Sequence, residues 1–428
     1  MTEIGNFPDE WKIKNLVEIA DFETGKRMKG GGLEEGDVIS LGGEHISEDG
    51  RIQFKKLKFI SNSFYNGLKK GKLHNNDILI VKDGARTGKV AISKGLDQKI
   101  AINEHIFLIR TKNPNICNNL FLFFILFSHI GQIQVKKAYH GLIGGITRED
   151  LSNFLIPLPP LSEQRAIAHL LRTVQEAREK TEAVIEAAKA LKKSMMQYLF
   201  TYGPVPIDEA EQVPLKETEI GMVPEVWEIV RLGDFFKISS GGTPSRKESQ
   251  YWNGDIPWIK TGEINYSIIT STEESITKIG LENSAAKIIP AGTIVMAMYG
   301  QGVTRGRVAI TCIDAAINQA VAALFPKENI NKRYAFYYFV FSYENIRSLG
   351  HGAHQTNLSG TIIKTIKIPI PSIPIQEKIA HILMPIDQKI AAEESRKAAL
   401  DQLFQTLLHD LMTAKIRVNH LSVPVAET

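Results

Sequence analysis

GARTGKVAI, residues 84–92, sets two glycines and a lysine ahead of an apolar run. Those are the ingredients of a phosphate-binding loop. That loop needs G-x-x-x-x-G-K-[ST], because the hydroxyl after the lysine holds the magnesium. Here only three residues separate Gly84 from Gly88, and Val90 follows Lys89. A near copy, GVTRGRVAI, stands at 302–310, 218 positions on. Both copies lie between apolar β-rich stretches, so they read as glycine turns joining strands rather than as nucleotide cradles. Lys89 and Arg307 hold the same place in the two copies, whereas Arg86 aligns with Thr304 and Thr87 with Arg305. No other constellation converges. H-E-x-x-H, C-x-x-C and G-x-S-x-G are absent. Asp83 would suit a nuclease-type metal site of carboxylates and lysine, but its counterpart is Tyr299. His140, His351 and His354 fall in glycine-rich loops, where polar packing or nucleic-acid contact is expected ahead of metal binding. No residue receives a catalytic, cofactor-binding or metal role.

The elements that position these loops occur twice. PDEWKIKNL at 8–16 matches PEVWEIVRL at 224–232, and Gly25 matches Gly241, at an offset of 216. Ile102-Asn103-Glu104 matches Ile317-Asn318-Gln319 at 215, and IPLPPLSEQRAIAHLL at 156–171 matches IPIPSIPIQEKIAHIL at 368–383 at 212. The offset drifts across the globular parts and is fixed from Ile156 onward. The prediction is a mixed α/β (α+β) chain with an internal pseudo-twofold repeat. A globular domain over 1–155 is followed by a helical region over 156–215, a second globular domain over 216–367 and a second helical region over 368–428.

Each helical region reads as one long helix. Pro157, Pro159 and Pro160 bar a helix before them, Ser162 suits an N-cap, and no Gly or Pro interrupts the chain to Phe200. Ile167, Leu170, Val174, Val184, Leu191 and Met195 fall on a heptad seam over about 162–200. Ile379, Ile386, Ile390, Leu400, Leu407 and Leu411 form a second seam over about 374–415, weaker near Glu393 and Lys397, with Pro385 a possible kink. Sustained heptads predict a coiled coil, and equal lengths at a fixed offset predict that the two helices pair antiparallel.

Composition bounds the partners. The first 161 residues hold 22 Lys+Arg against 18 Asp+Glu, and residues 224–371 hold 15 against 12, whereas both helical regions are slightly acidic. A basic surplus attracts polyanions. Two cysteines exclude a disulfide framework and a four-cysteine zinc site and suit a reducing cytoplasm. The longest apolar run, LFLFFILF at 120–127, is far short of a membrane span, and no membrane partner is expected.

A proline-rich strand, then L-x-E-Q-x-x-I, then a long heptad helix, twice in one chain, resembles the specificity (S) subunits of type I restriction-modification systems. The resemblance covers nearly the whole chain; the helix ends LKKSMMQYLFTYG and LDQLFQTLLHDLMT and the re-entry segment ETEIGMVPEVWEIVRLGDFF carry it further. It departs where Pro374-Ile375-Gln376-Glu377 replaces Ser162-Glu163-Gln164-Arg165. The resemblance implies two target recognition domains, each reading half of a bipartite double-stranded DNA site. It implies helices that set the spacer and dock two modification subunits, with restriction subunits joined through them. It also implies that this chain binds no cofactor, S-adenosylmethionine, ATP and Mg2+ belonging to the partners. A stand-alone DNA-acting enzyme such as a nuclease, and a protein-only coiled-coil scaffold, are the rival readings.

On this resemblance, phosphate and groove contacts are placed on Lys82, Arg86 and Lys89 and on Arg305 and Arg307. Lys55 and Lys56, flanked by Phe54 and Phe59, and Lys69 and Lys70, following Tyr65, mix cations with aromatics as nucleic-acid surfaces do. Gly43 and His45, matched by Lys260 and Thr261, occupy equivalent loops, joined as candidates by His140 and His354. Gln301, Thr304, Gln355 and Asn357 carry the side chains that reach base edges.

Overall fold

The computed structural model describes residues 4–140, 144–300, 303–327, 329–349 and 357–421. The chain divides into two compact units, Met1–Glu182 with Ser395–Thr428, and Ala183–Glu394. Neither boundary falls at the ends of the sequence repeat. Each unit takes one globular part, the first half of the helix that follows it and the second half of the other helix.

In the first unit the two matched sequence motifs pair with each other. Lys12–Asn15 runs antiparallel to Leu155–Leu158, with Ile13 opposite Pro157. Trp11, just before it, and Leu16, just after it, are buried. A four-stranded sheet (order Ala20–Thr24, Ile106–Thr111, Ile78–Val81, Val90–Ile92) and a three-stranded sheet (order Lys58–Ile60, Val38–Leu41, Ile100–Ile102) build the rest of the domain. Ile78–Val81 is buried at all four positions, so its two faces divide between cores. Ile78 and Ile80 face a core holding the helix Asn119–Phe127, while Leu79 and Val81 face a second core with Ile39, Leu41 and Ile102. Period-two alternation sends successive side chains to opposite faces, so a continuous apolar run suits a strand covered on both sides.

The second unit repeats this plan. Glu228–Arg231 pairs antiparallel with Lys367–Ile370, setting Ile229 opposite Pro369, and Trp227 and Leu232 are buried. Its sheets add an edge strand each, giving five strands around Ile294–Ala297 and four around Ala315–Ile317. Its helix Lys332–Phe341 packs Tyr334, Phe336 and Phe339 into the core. The added edges, Ile268–Ile269 and Lys287–Ile289, lie where the offset drifts.

The first long helix runs over Leu161–Tyr202 and the second over Ile373–Met412, continuous through Pro385. The first begins ahead of its expected cap. Gln164 donates its N–H to the Pro160 carbonyl at 3.0 Å, so Ser162 lies within the first turn. In the second helix Pro374 sits in the first turn, where its missing N–H costs nothing. The helices are antiparallel within each unit. In the first, Arg178 meets Asp401 at 2.6 Å and Glu182 meets Lys397 at 3.3 Å; in the second, Lys189 meets Glu394 at 2.8 Å and Lys192 meets Asp387 at 2.5 Å. The expected seam slips. Ile167 is sealed and Leu170 and Val174 are partly covered, but Val184 and Leu191 are 40% and 52% exposed. Thr181, seven residues on from Val174, is still buried on the expected frame, and Met195 is partly covered, but beyond Thr181 burial falls on Ile185, Lys192 and Met196, each one residue past the frame. An α-helix turns every 3.6 residues, so a strict heptad frame drifts by about 20° per repeat unless the helices supercoil fully. On the second helix Ile379 and Leu411 are buried and Ile386 and Leu407 partly so, as read.

Candidate nucleic-acid interface

The two glycine segments close equivalent hairpins. In the first, Gly88 donates its N–H to the Val81 carbonyl at 2.8 Å and Val81 donates to Lys89 O at 2.9 Å. In the second, Gly306 donates to Ala297 O at 2.8 Å and Ala297 to Arg307 O at 2.9 Å. Gly88 and Gly306 have φ of +82° and +84°, a region that side chains rarely adopt. A strand follows each turn, not a helix, so neither loop offers the helix N-terminus that a nucleotide phosphate needs.

Other loops gather at the same end of each domain. After Thr24 the chain passes so close to the end of Ile100–Ile102 that a Cβ on Gly25 would lie 1.7 Å from Ile102 O; a Cβ on Gly241 would lie 1.8 Å from Ile317 O. At the strand end itself, Asn103 Oδ1 accepts the His105 N–H at 3.0 Å, and Asn318 Oδ1 accepts the Ala320 N–H at 2.9 Å. Short 3-10 turns, Gly43–His45 and Thr261–Glu263, complete the set. Each domain thus presents a glycine hairpin, an asparagine turn and a 3-10 turn on matched backbone.

The candidate lysines here are held by acids, the arginines by neutral groups. Lys89 meets Glu48 at 2.7 Å, and the Lys89 hydrogen bond keeps the exposed Glu48 carboxyl below its ordinary range. Lys82 lies 3.7 Å from Asp83, and Arg86 donates to the Ile46 carbonyl at 2.8 Å. In the second domain Arg307 donates to Asn265 Oδ1 at 2.8 Å and lies over the Tyr266 ring. Lys260 bridges Glu273 and Glu274, which raise its pKa in that order. Paired lysines of this kind are half-shielded, and an arriving phosphate competes with the carboxylate for them. Lys55, Lys56, Lys69 and Lys70 are exposed; Lys69 and Lys70 line an open groove with Lys26, Gly25 and Phe64.

Three of the candidates are structural. His45 is 1% exposed and its Nδ1 accepts the Gly42 N–H at 2.9 Å, capping the turn from inside. Gly43 is buried with Val81 against it. Arg305 is 7% exposed and donates to the Arg347 carbonyl at 3.3 Å. Alignment with Thr87 hid this difference, because the loop bends Arg305 inward beside the helix Tyr343–Ser348. His140 pairs with Asp150 at 3.3 Å. Thr304 accepts at its carbonyl from the Arg307 N–H, Thr261 opens its 3-10 turn, and Asn357 is exposed. Gln301, His354 and Gln355, with His351, lie outside the described residues. Among the described residues no group of histidine, cysteine and carboxylate side chains is placed to hold a metal ion, and no helix is long and apolar enough to cross a membrane.

Several working residues escaped a reading of the sequence. Gln164 is 1% exposed; its Oε1 accepts from Asn118 N and its Nε2 donates to Ile116 O and Pro159 O. Gln376 repeats all three bonds, to Asn331 N, Asn329 O and Pro371 O. Their match at offset 212 was a signal, but the role is three-dimensional. Arg417 forks onto both oxygens of the fully buried Glu163, at 2.7 and 2.8 Å, and reaches Glu10 at 2.9 Å. Arg51 joins Asp49 to Glu182, tying the first domain to its helices. In the second domain the Arg246 guanidinium lies 3.8 Å from the Trp252 ring centre and pairs with Glu274.

A family model described as "Type I restriction modification DNA specificity domain" matches residues 8–189 and again 224–402. The type I restriction enzyme MjaVIII specificity subunit of Methanocaldococcus jannaschii is 27% identical over 97% of this chain and 95% of its own length. The EcoR124I/EcoR124II specificity subunit of Escherichia coli is 29% identical, over 36% of this chain and 40% of its own. Among solved structures, an S subunit of a type I restriction-modification system from M. genitalium superposes with a TM-score of 0.68 at 18% identity, covering 96% of this chain and 99% of that one.

Proposed function

The chain belongs to the type I restriction modification DNA specificity family, and we propose that it is the non-catalytic, DNA-reading chain of such a system, each globular domain reading one half of a bipartite target. The observation that carries this is the duplicated loop cluster: two domains present the same hairpin, asparagine turn and 3-10 turn on matched backbone, but with different side chains. Shared backbone with unlike side chains is what two different half-sites require. Phosphate contacts fix a protein's register and base-edge contacts specify sequence. Lys82, Lys89 and Arg307, at matched hairpins, are assigned to phosphates; Arg86, Lys55, Lys56, Lys69 and Lys70 extend the track in the first domain.

On this reading the long helices fix the spacer between half-sites and dock two modification subunits. Val184 and Leu191, apolar and exposed on the first helix, support a docking role. S-adenosylmethionine, ATP and Mg2+ belong to the modification and restriction subunits, and the assembly works in the cytoplasm. The test is co-expression with a modification subunit followed by methylome sequencing. A bipartite adenine-methylated motif that disappears when this chain is deleted supports the reading. Methylation or cleavage by the purified chain alone rejects it in favour of an enzyme. Absence of salt-dependent DNA affinity, alone and with partners, rejects it in favour of a scaffold.

A further inference from the structure

The asparagine turns hold one more difference. At the apex of the first stands Glu104, at the apex of the second Gln319. Each faces a residue from the close-approaching glycine loop. Arg27 Nη1 lies 3.9 Å from Glu104 Oε1, and Thr243 Oγ1 donates to Gln319 Oε1. Arg27 and Thr243 are 216 apart and the apex residues 215 apart, the offsets of their own loops. The same two positions therefore touch in both domains, once as an ion pair and once as a neutral pair. The flanking position follows suit: His105 Nδ1 lies 2.5 Å from Asp83 in the first domain, where the second has Ala320 and Tyr299.

The fold does not require this exchange. Gly25 and Gly241 make the same close approach, and both asparagine side chains make the same turn bond. Nor is the ionic version well satisfied. Glu104 Oε1 is shared between Arg27 at 3.9 Å and His105 Nε2 at 3.4 Å, its shielded Oε2 has no hydrogen-bond partner, and the Arg27 and Glu104 side chains as a whole are 69% and 34% exposed. Undersatisfied groups at the rim of a reading surface gain when a ligand supplies partners. In the major groove a carboxylate accepts from cytosine N4 and an arginine forks onto guanine O6 and N7, whereas an amide pairs with adenine N6 and N7.

Resting on the functional reading above, we propose that these apex pairs are specificity-determining: Arg27 with Glu104 reads a C·G pair in one half-site, and Thr243 with Gln319 reads an A·T pair in the other. The experiment transplants each pair into the other domain, as Arg27→Thr/Glu104→Gln and Thr243→Arg/Gln319→Glu. Each variant is assembled with the modification subunit and used to select DNA from a library randomised in both half-sites. Circular dichroism and melting confirm that the selected variants are folded. The expected result is a change of preference of about tenfold or more at one base pair: C·G towards A·T in one half for the first variant, A·T towards C·G in the other half for the second. Folded variants that keep the wild-type motif, change the same half-site as each other, or lose all selection overturn the inference. A wild-type assembly that selects no bipartite motif overturns the functional reading itself.

Discussion

Gln164 and Gln376 each make three hydrogen bonds from a side chain sealed from solvent, stitching the first turn of a long helix to the loop before an apolar helix. An alanine there leaves a buried N–H and two carbonyls without partners, and each such orphan costs roughly 1–3 kcal/mol. Gln164→Ala is expected to destabilise the first unit by about 3 kcal/mol, read as a drop in urea midpoint; an unchanged midpoint would mean that water replaces the amide. Cysteine makes a second residue-scale prediction. Cys117 is buried and its thiol is pushed up to about 12, whereas Cys312 is exposed. The thiolate is the reactive form, so a thiol reagent at pH 8 should label Cys312 alone in the native chain, and both thiols in denaturant; fast labelling of Cys117→Ser at the wild-type level of one thiol checks the assignment. At this scale the sequence offered residue types but not environments. Arg86, Lys89 and Arg305 look alike in a string, and only the path of the loop sends Arg305 inward.

The first long helix was the most legible element, because 42 residues without Gly or Pro between Pro160 and Pro204 allow little else, and the second was read from its match to the first despite Pro385 inside it. Their seam was less so: the frame holds at Ile167 and has slipped by Ile185, since it depends on how tightly two helices supercoil. Their anchoring was not legible at all, because it joins residues hundreds of positions apart. Glu163 is fully buried, and Arg417 donates to both of its oxygens. Removing one partner of a buried ion pair leaves an uncompensated charge, at a cost of about 3–5 kcal/mol. Arg417→Ala should therefore destabilise the first unit strongly, and Glu163→Gln/Arg417→Met should recover much of the loss; a double variant as unstable as the single one would show that Arg417 acts through Glu10 or Trp11 instead. The Arg51 junction adds a pH dependence. Burial alone would raise the Asp49 and Glu182 carboxyls, but hydrogen bonds from Arg51 outweigh it and hold both below their usual values. Groups depressed on folding stabilise above their unfolded pKa values, near 4, and lose that contribution as pH falls through the folded ones. Acid titration of melting temperature should fall less steeply below pH 5 for Arg51→Met than for the wild-type chain.

At the scale of the whole molecule, the repeat is the feature that sequence and structure share most fully. The motifs matched at offsets 216 and 212 are the two strands that pair at the base of each domain, so one comparison of the chain with itself found both partners. The division into units was hidden, because each long helix serves one unit with its first half and the other with its second. Because the two long helices face each other through matched ion pairs in each unit, a length change in one must be matched in the other to keep those contacts. If the proposed spacer role holds, inserting seven residues after Ala187 and seven after Glu394 adds about 10 Å to each helix, close to three base pairs of B-DNA at about 3.4 Å per step. Methylome sequencing should then return both half-sites unchanged with a spacer roughly three base pairs longer. Insertion in one helix alone should abolish recognition, because the heptad faces no longer meet. A doubly inserted chain that methylates the original spacer would show that something other than the helices sets the distance, and a change in half-site identity would place base reading outside the two globular domains.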